Sequence, residues 1–264
     1  MSGLCQKCLK AMVGILFTGM IAVQPVAVLA QEAAVSDIAG FQEKVVKNME
    51  NRETNFTINY TGDTDVLVPD VEDIIKKSYE TDDYLRWSWT DLNAKVKGVK
   101  GNVDVTFKVS YIATKQQEDY VLQKVKKIVA EILSDNMTEL EKVAAIHHYI
   151  IKNVAYDHTL KEKSAYGALA KGKTTCQGYA MLLDKMLEEA GINSEIVVGD
   201  IPAGLHAWNL VKVGGRWYHI DATNDAANPN PDKYFLVSDK TLKDNNYTWV
   251  RSEYPKAPRS ANKM

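Results

Sequence analysis

Cysteine is scarce in this chain: three residues among 264, at Cys5, Cys8 and Cys176. Three thiols cannot all pair with one another, so a disulfide-rich scaffold is excluded. Basic excess is missing too, with Lys+Arg 32 against Asp+Glu 34 and a formal net charge of −2 at pH 7. That argues against a nucleic-acid partner. Proline and glycine are sparse, at 7 and 15 residues, and no low-complexity segment or internal repeat is visible. Disorder and collagen-like readings are therefore out. After the first thirty residues no apolar run is long enough to span a bilayer. What remains is ordinary globular composition, 45% hydrophobic and 25% charged, in a length that suits one or two domains with a sizeable core.

The N-terminus reads as a secretory leader. Lys7 and Lys10 form a positive n-region, Ala11 to Val23 is uncharged and mostly apolar, and Pro25 breaks it. Val28-Leu29-Ala30 then supplies small residues at the −3 and −1 positions. Cleavage after Ala30 is expected, leaving no stable membrane span; an uncleaved anchor is the rival. Cys5 and Cys8 sit too early for a lipid attachment site. The exported chain, secreted or held in the cell envelope, would keep a single cysteine, Cys176. A lone thiol in an oxidising compartment is a liability unless it is buried or used.

The organisation expected is a leader over 1–30, an accessory α/β region over 31–115, a catalytic domain over 116–255 and a tail over 256–264. In the accessory region, Ile38, Phe41, Val45 and Met49 have helical spacing behind Ser36. Thr54–Tyr60, Tyr84–Leu92 and Val103–Ile112 read as strands, and Pro69 opens a helix. No ionisable cluster there points to chemistry, which leaves a scaffold or a substrate-facing role. Further on, a helix is expected over Glu118–Leu133, and Thr138 to Glu141 is a capping box for the next. His147 falls on that helix's apolar stripe and reads as a core histidine. Adjacent His147 and His148 point about 100° apart and are not expected to share a ligand. Neither a metal nor a cofactor is indicated, because the histidines and Cys176 lack metal-ligand spacing.

Cys176 lies in the first turn of a helix whose stripe is Ala180, Leu183, Leu187 and Ala190, closed by Gly191. Thr174 or Thr175 is the natural N-cap. Unpaired N–H groups and the helix dipole there favour a thiolate, and Lys173 adds positive charge. Gly178 inside the first turn implies a close approach to the backbone. The bland alternative for Cys176 is packing.

Two strands, Leu205–Val213 and Arg216–Thr223, flank Gly214-Gly215, a two-residue hairpin turn. Val213 then faces Arg216, Trp208 faces Asp221, and His206 and Asp221 become diagonal neighbours on one face, within side-chain reach. An imidazole oriented by a carboxylate is the base half of a nucleophilic triad. Trp208 beside them can shield the pair from water. His219, on the same face, is the rival base. The alternative for the whole arrangement is a core hairpin with a hydrogen-bonded His–Asp pair, and a turn of another length would separate the two residues. The segment Ala222–Asp232 reads as a polar loop, and Arg251 onward as a surface-wrapping or frayed tail.

Taken in order, Thr175-Cys176-Gln177-Gly178-Tyr179-Ala180, His206-Ala207-Trp208-Asn209 and Asp221-Ala222-Thr223 resemble the three core motifs of the transglutaminase-like superfamily, particularly its exported bacterial members. The resemblance covers roughly residues 115–255. It implies an α+β fold, a papain-like core in which the helix bearing the cysteine packs on an antiparallel sheet bearing the histidine and aspartate. It assigns Cys176 as nucleophile, His206 as general base and acid, and Asp221 as the orienting carboxylate. Members of the animal type add a tryptophan before the cysteine, which residues 140–175 lack. Tyr156 and Tyr166 are then the candidates for a side-chain oxyanion donor, with Trp208 near the substrate site, beside the Cys176 backbone N–H. The activity implied is acyl transfer on amide or carboxamide groups of proteins or peptides: crosslinking, deamidation or proteolysis. A catalytically silent binding module of the envelope is the competing class.

Overall fold

The computed structural model describes residues 34–261. The expected leader, with Cys5 and Cys8, lies outside the described residues, as do the last three of the tail. The chain divides after Lys115 into two compact units. Among the described residues no helix is long and apolar enough to cross a membrane.

The first unit contains α1 (Ile38–Glu50), β1 (Asn55–Tyr60), α2 (Thr64–Leu67), α3 (Val71–Tyr79), α4 (Asp83–Arg86), β2 (Trp89–Val99) and β3 (Asn102–Tyr111). The three strands form an antiparallel sheet in the order β1-β3-β2. Alternation along β3 is strict: Val103, Val105, Phe107 and Val109 are buried, while Asp104, Thr106, Lys108 and Ser110 are exposed. A sheet with one wet face and one dry face needs a partner layer. Phe41, Val45 and Met49 of α1, with Ile74 and Ile75 of α3, join the dry face in one core. Phe56 stacks on Phe107 at 4.5 Å and Tyr60 meets Phe41 edge-on at 6.1 Å. Each such side chain contributes about 1.5–3 kcal/mol by leaving water.

Two expectations change here. Asp37, not Ser36, caps α1, its carboxylate accepting from the Gly40 N–H at 2.8 Å. Tyr84–Leu92 is not one strand: Asp82 caps a helical turn by accepting from the Leu85 N–H at 2.9 Å, and β2 starts only at Trp89. Asp at a helix start outweighs the β-forming aromatics that follow it.

The second unit contains α5 (Lys115–Ile132, its first residue in the other unit), α6 (Glu139–Asn153), β4 (Ala155–Tyr156), α7 (Ala165–Lys171), β5 (Lys173–Thr174), α8 (Cys176–Glu189), β6 (Ser194–Ile201), β7 (Gly204–Val213), β8 (Arg216–Ile220), α9 (Ala222–Ala226), α10 (Asp239–Asp244) and β9 (Thr248–Trp249). Its main sheet is antiparallel in the order β8-β7-β6-β9, and α8 packs on β7 and β6. This is the α+β arrangement expected, with the cysteine helix laid on the sheet. The Thr138–Glu141 capping box is complete in both directions. Gly191, with φ +72°, takes the left-handed position after α8 that a glycine adopts without strain.

Gly214 and Gly215 both have positive φ, and Val213 pairs with Arg216, Leu210 with His219 and Asn209 with Ile220. The hairpin register is the one the Gly-Gly turn predicts. β8, however, stops at Ile220 rather than Thr223. Asp221 turns its carboxylate to the Asn224 N–H at 3.0 Å and opens α9, so the expected polar loop begins as a helical turn and Thr223 lies outside the ladder. The tail wraps the unit as far as it is described: Ala257 is fully buried and its carbonyl accepts from the Asp239 N–H.

Candidate active site

Three segments converge. Cys176 is the first residue of α8, half-buried, with Thr175 at the cap position. Thr175 makes no side-chain capping bond; its N–H donates instead to the Glu162 carbonyl at 2.8 Å. Thr174 reaches the Glu162 and Ser164 carbonyls, both at 3.2 Å. A side chain at Gly178 would meet the Thr174 hydroxyl at 1.9 Å and the Ser164 carbonyl at 2.7 Å. The close approach that Gly178 implied is thus the protein's own loop seating the start of α8. That loop is folded around Asp157, whose carboxylate accepts from the Thr159 hydroxyl and from the Lys161 and Glu162 N–H groups. These bonds hold Asp157 well below the usual carboxylate range. Lys173 pairs with Asp157 at 3.5 Å, so its charge is committed there, contrary to the role expected of it beside the thiol.

β7 supplies His206, 4% exposed, and the residue after β8 supplies Asp221, fully buried. His206 Nε2 lies 2.7 Å from Asp221 Oδ2. Asp221 collects further donors: the Tyr247 hydroxyl at 2.6 Å, the Asn224 side-chain amide at 2.7 Å and the Asn224 N–H at 3.0 Å. Burial alone would raise the Asp221 pKa, but the His206 charge and these bonds outweigh it and hold the carboxyl ionised.

With Nε2 on Asp221, the other ring nitrogen of His206 is left for the Cys176 thiol, with which it shares a hydrogen bond. Burial would push the thiol up; the His206 bond and charge, with the Ala207 backbone N–H, more than reverse this and lower it. Burial would likewise depress His206, but Asp221 and the thiolate raise it to about 10. The two shifts share one cause: the charged form of each partner favours the charged form of the other.

Trp208 is 1% exposed and stacks near the His206 ring at 6.1 Å. It walls the His–Asp pair, as expected, but its indole N–H donates to His219 Nδ1 at 3.0 Å. That removes it as a donor to substrate. His219 in turn holds Asp239 through Nε2 at 2.9 Å, and burial lowers its pKa. The rival base is therefore a neutral core group engaged at both nitrogens. Of the two tyrosines, Tyr156 on β4 is close enough that the Cys176 charge raises its pKa, after burial. Tyr166 on α7 meets Tyr120 edge to face at 5.4 Å. Asn209, alternating with Trp208, donates to the Ala180 carbonyl at 3.1 Å and ties β7 to α8.

Tyr247, Asn224 and Asp157 were not anticipated. Asn224 carried a readable signal, since it stands three residues after an aspartate able to cap. Tyr247 carried none, standing 26 residues from the carboxylate it touches. His147 is the buried core histidine expected, and Asp232 Oδ1 lies 4.0 Å from its Nδ1 and 2.9 Å from His148 Nε2. Their rings diverge, but Asp232 comes from a distant loop and stands between them.

A thiol at a helix start, an imidazole and a buried carboxylate are thus brought together on an α+β core, the set of groups that activating a cysteine would need. Residues 126–222 match the family model of the transglutaminase-like superfamily. The chain carries a transglutaminase-like domain. It is 32% identical over 115 residues to the kyphoscoliosis peptidase of Homo sapiens, a match that takes in 37% of this chain and 17% of that protein. Among solved structures it is similar to a proposed cysteine protease from Cytophaga hutchinsonii, with 16% identity, TM-score 0.36, and 47% of this chain and 54% of that one covered. It is also similar to a TGase, with 14% identity, TM-score 0.34 and coverage of 67% and 56%.

Proposed function

We propose that the chain is an exported cysteine-dependent acyl transferase or hydrolase acting on amide or carboxamide groups of proteins or peptides. The observation that carries this reading is the Cys176–His206–Asp221 line, in which the His–Asp bond is 2.7 Å and the thiol pKa is lowered despite burial.

The Cys176 thiolate attacks the carbonyl carbon, and the carbonyl π electrons move to its oxygen. The backbone N–H of Cys176, at the start of α8, is placed to donate to that oxyanion, and Tyr156 is the side-chain candidate beside it. The tetrahedral intermediate collapses as the C–N bond breaks. His206 gives its proton to the departing nitrogen, leaving a thioester on Cys176. His206, now neutral, then takes a proton from water or an amine as it attacks, and the thiolate departs. Asp221 keeps the ring oriented throughout and balances its charge. Water on a glutamine side chain gives deamidation, water on a backbone amide gives proteolysis, and an amine gives a crosslink. The name of the human relative, a peptidase, favours the hydrolytic arm.

Purified protein incubated with a glutamine donor plus labelled amine, a glutamine peptide scored for ammonia, and an unfolded protein distinguishes the three. The reading expects turnover in at least one arm that Cys176→Ala abolishes. Equal signals from wild type and Cys176→Ala in all three, with no preferential labelling of Cys176 by an electrophile near neutral pH, would overturn it. A leader that stays intact on protein recovered from an export-competent host would overturn the cleaved, exported form.

A further inference from the structure

One turn along α9 from Asp221 stands Asp225, buried, whose Oδ2 lies 3.0 Å from His147 Nε2 and whose Oδ1 accepts the Tyr234 N–H at 2.8 Å. His147 is fully buried, yet its Nδ1 has no hydrogen-bond partner. A buried nitrogen of this kind carries the cost of an unmade bond. It lies 4.0 Å from Asp232 Oδ1, which His148 Nε2 approaches at 2.9 Å. The ring of Phe235 packs on His147 at 4.8 Å and closes one side.

We propose that His147 Nδ1, His148 Nε2 and Asp232 Oδ1 form a three-ligand site for a divalent transition cation, zinc by its donor set. Two imidazoles and one carboxylate suit zinc and its neighbours in the first row, whereas calcium and magnesium prefer oxygen throughout. Asp225 acts from behind: by accepting a hydrogen bond from His147 Nε2–H it leaves Nδ1 as a lone pair, as a carboxylate behind a ligating histidine does. The three ligand atoms lie within 4.8 Å of one another. Bonds of about 2.0–2.2 Å in a tetrahedral set would space them by about 3.4 Å. His148 and Asp232 are 54% and 45% exposed and have the freedom to close that difference. On binding, the His148 proton moves to Nδ1 and Nε2 turns to the metal, while water fills the fourth position. The cation joins α6 to the loop that follows α9, and so braces the segment that presents Asp221. This inference does not rest on catalysis by Cys176.

The test uses the Cys176→Ala protein, which removes the thiol as a competing ligand. Titration with zinc followed by calorimetry is expected to show one equivalent bound at micromolar affinity or tighter. Asp232→Ala and His148→Ala, both at exposed positions, are each expected to weaken it at least tenfold without shifting the metal-free melting temperature. Cobalt in place of zinc is expected to give visible d–d bands without a thiolate charge-transfer band. Absence of stoichiometric binding, or binding that neither substitution weakens, overturns the proposal. If either variant lowers the metal-free melting temperature, the other decides.

Discussion

The two units fill their interiors differently. In the first, the buried positions are almost all apolar, and the buried polar residues among those described are Arg52, Thr64, Ser78 and Ser88. In the second, the same class includes His147, Asp157, His206, His219, Asp221 and Asp225. A buried titratable group is costly unless it is paired and hydrogen-bonded. The second unit pairs its histidines with carboxylates: His206 with Asp221, His219 with Asp239, and His147 with Asp225. The lesson is that apolar packing and buried titratable pairs are concentrated in different units. One unit is almost wholly a packing solution, while the other also buries titratable groups in histidine–carboxylate pairs.

The comparison breaks first at Cys176. Cys176→Ala is expected to lower turnover by at least about 10⁴-fold while the protein stays folded, read by activity and circular dichroism. Asp221→Asn comes next, with a loss of about 10³–10⁴-fold in kcat, because the amide no longer stabilises the imidazolium; retention of most activity would mean the carboxylate is structural. Phe107→Ala in the first unit is expected to cost about 3–5 kcal/mol of stability in denaturant melts, with the rate of Cys176 alkylation unchanged. An altered alkylation rate would refute the separation of roles. Tyr247→Phe removes one donor from the buried Asp221 and is expected to cost about 1–3 kcal/mol.

The smallest effect is a pH profile. Because the Cys176 pKa is lowered and that of His206 is raised to about 10, kcat/KM is expected to rise as the thiolate forms below the ordinary thiol range. It then falls as the imidazolium loses its proton near pH 10, unless another step limits the rate. Alkylation of Cys176 with an ordinary thiol titration curve would contradict the lowered thiol pKa.

Much of this site was legible before the fold was known. Helical spacing placed Cys176 at the head of its helix, and Gly214-Gly215 placed His206 against Asp221, since a two-residue turn leaves one register. What the same reasoning mistook was local competition. The Asp82 and Asp221 caps end or shorten strands that alternation alone would extend. The sequence shows that Lys173 is near the thiol but not that Asp157 takes its charge. Trp208 was placed correctly, yet the destination of its indole proton, His219, depended on how the sheet face packed.

By itself, then, the sequence determined what short-range rules can encode: the capping box at Thr138, the hairpin register, the alternation of β3, and a cysteine heading a helix. These follow from backbone geometry with periods of a few residues. Only the tertiary structure decided which carboxylates serve His147 and His219, that Tyr247 closes on Asp221, and that Asp232 stands between His147 and His148. Such contacts join residues 20 to 85 positions apart, and no periodicity connects positions that meet only once the chain has folded.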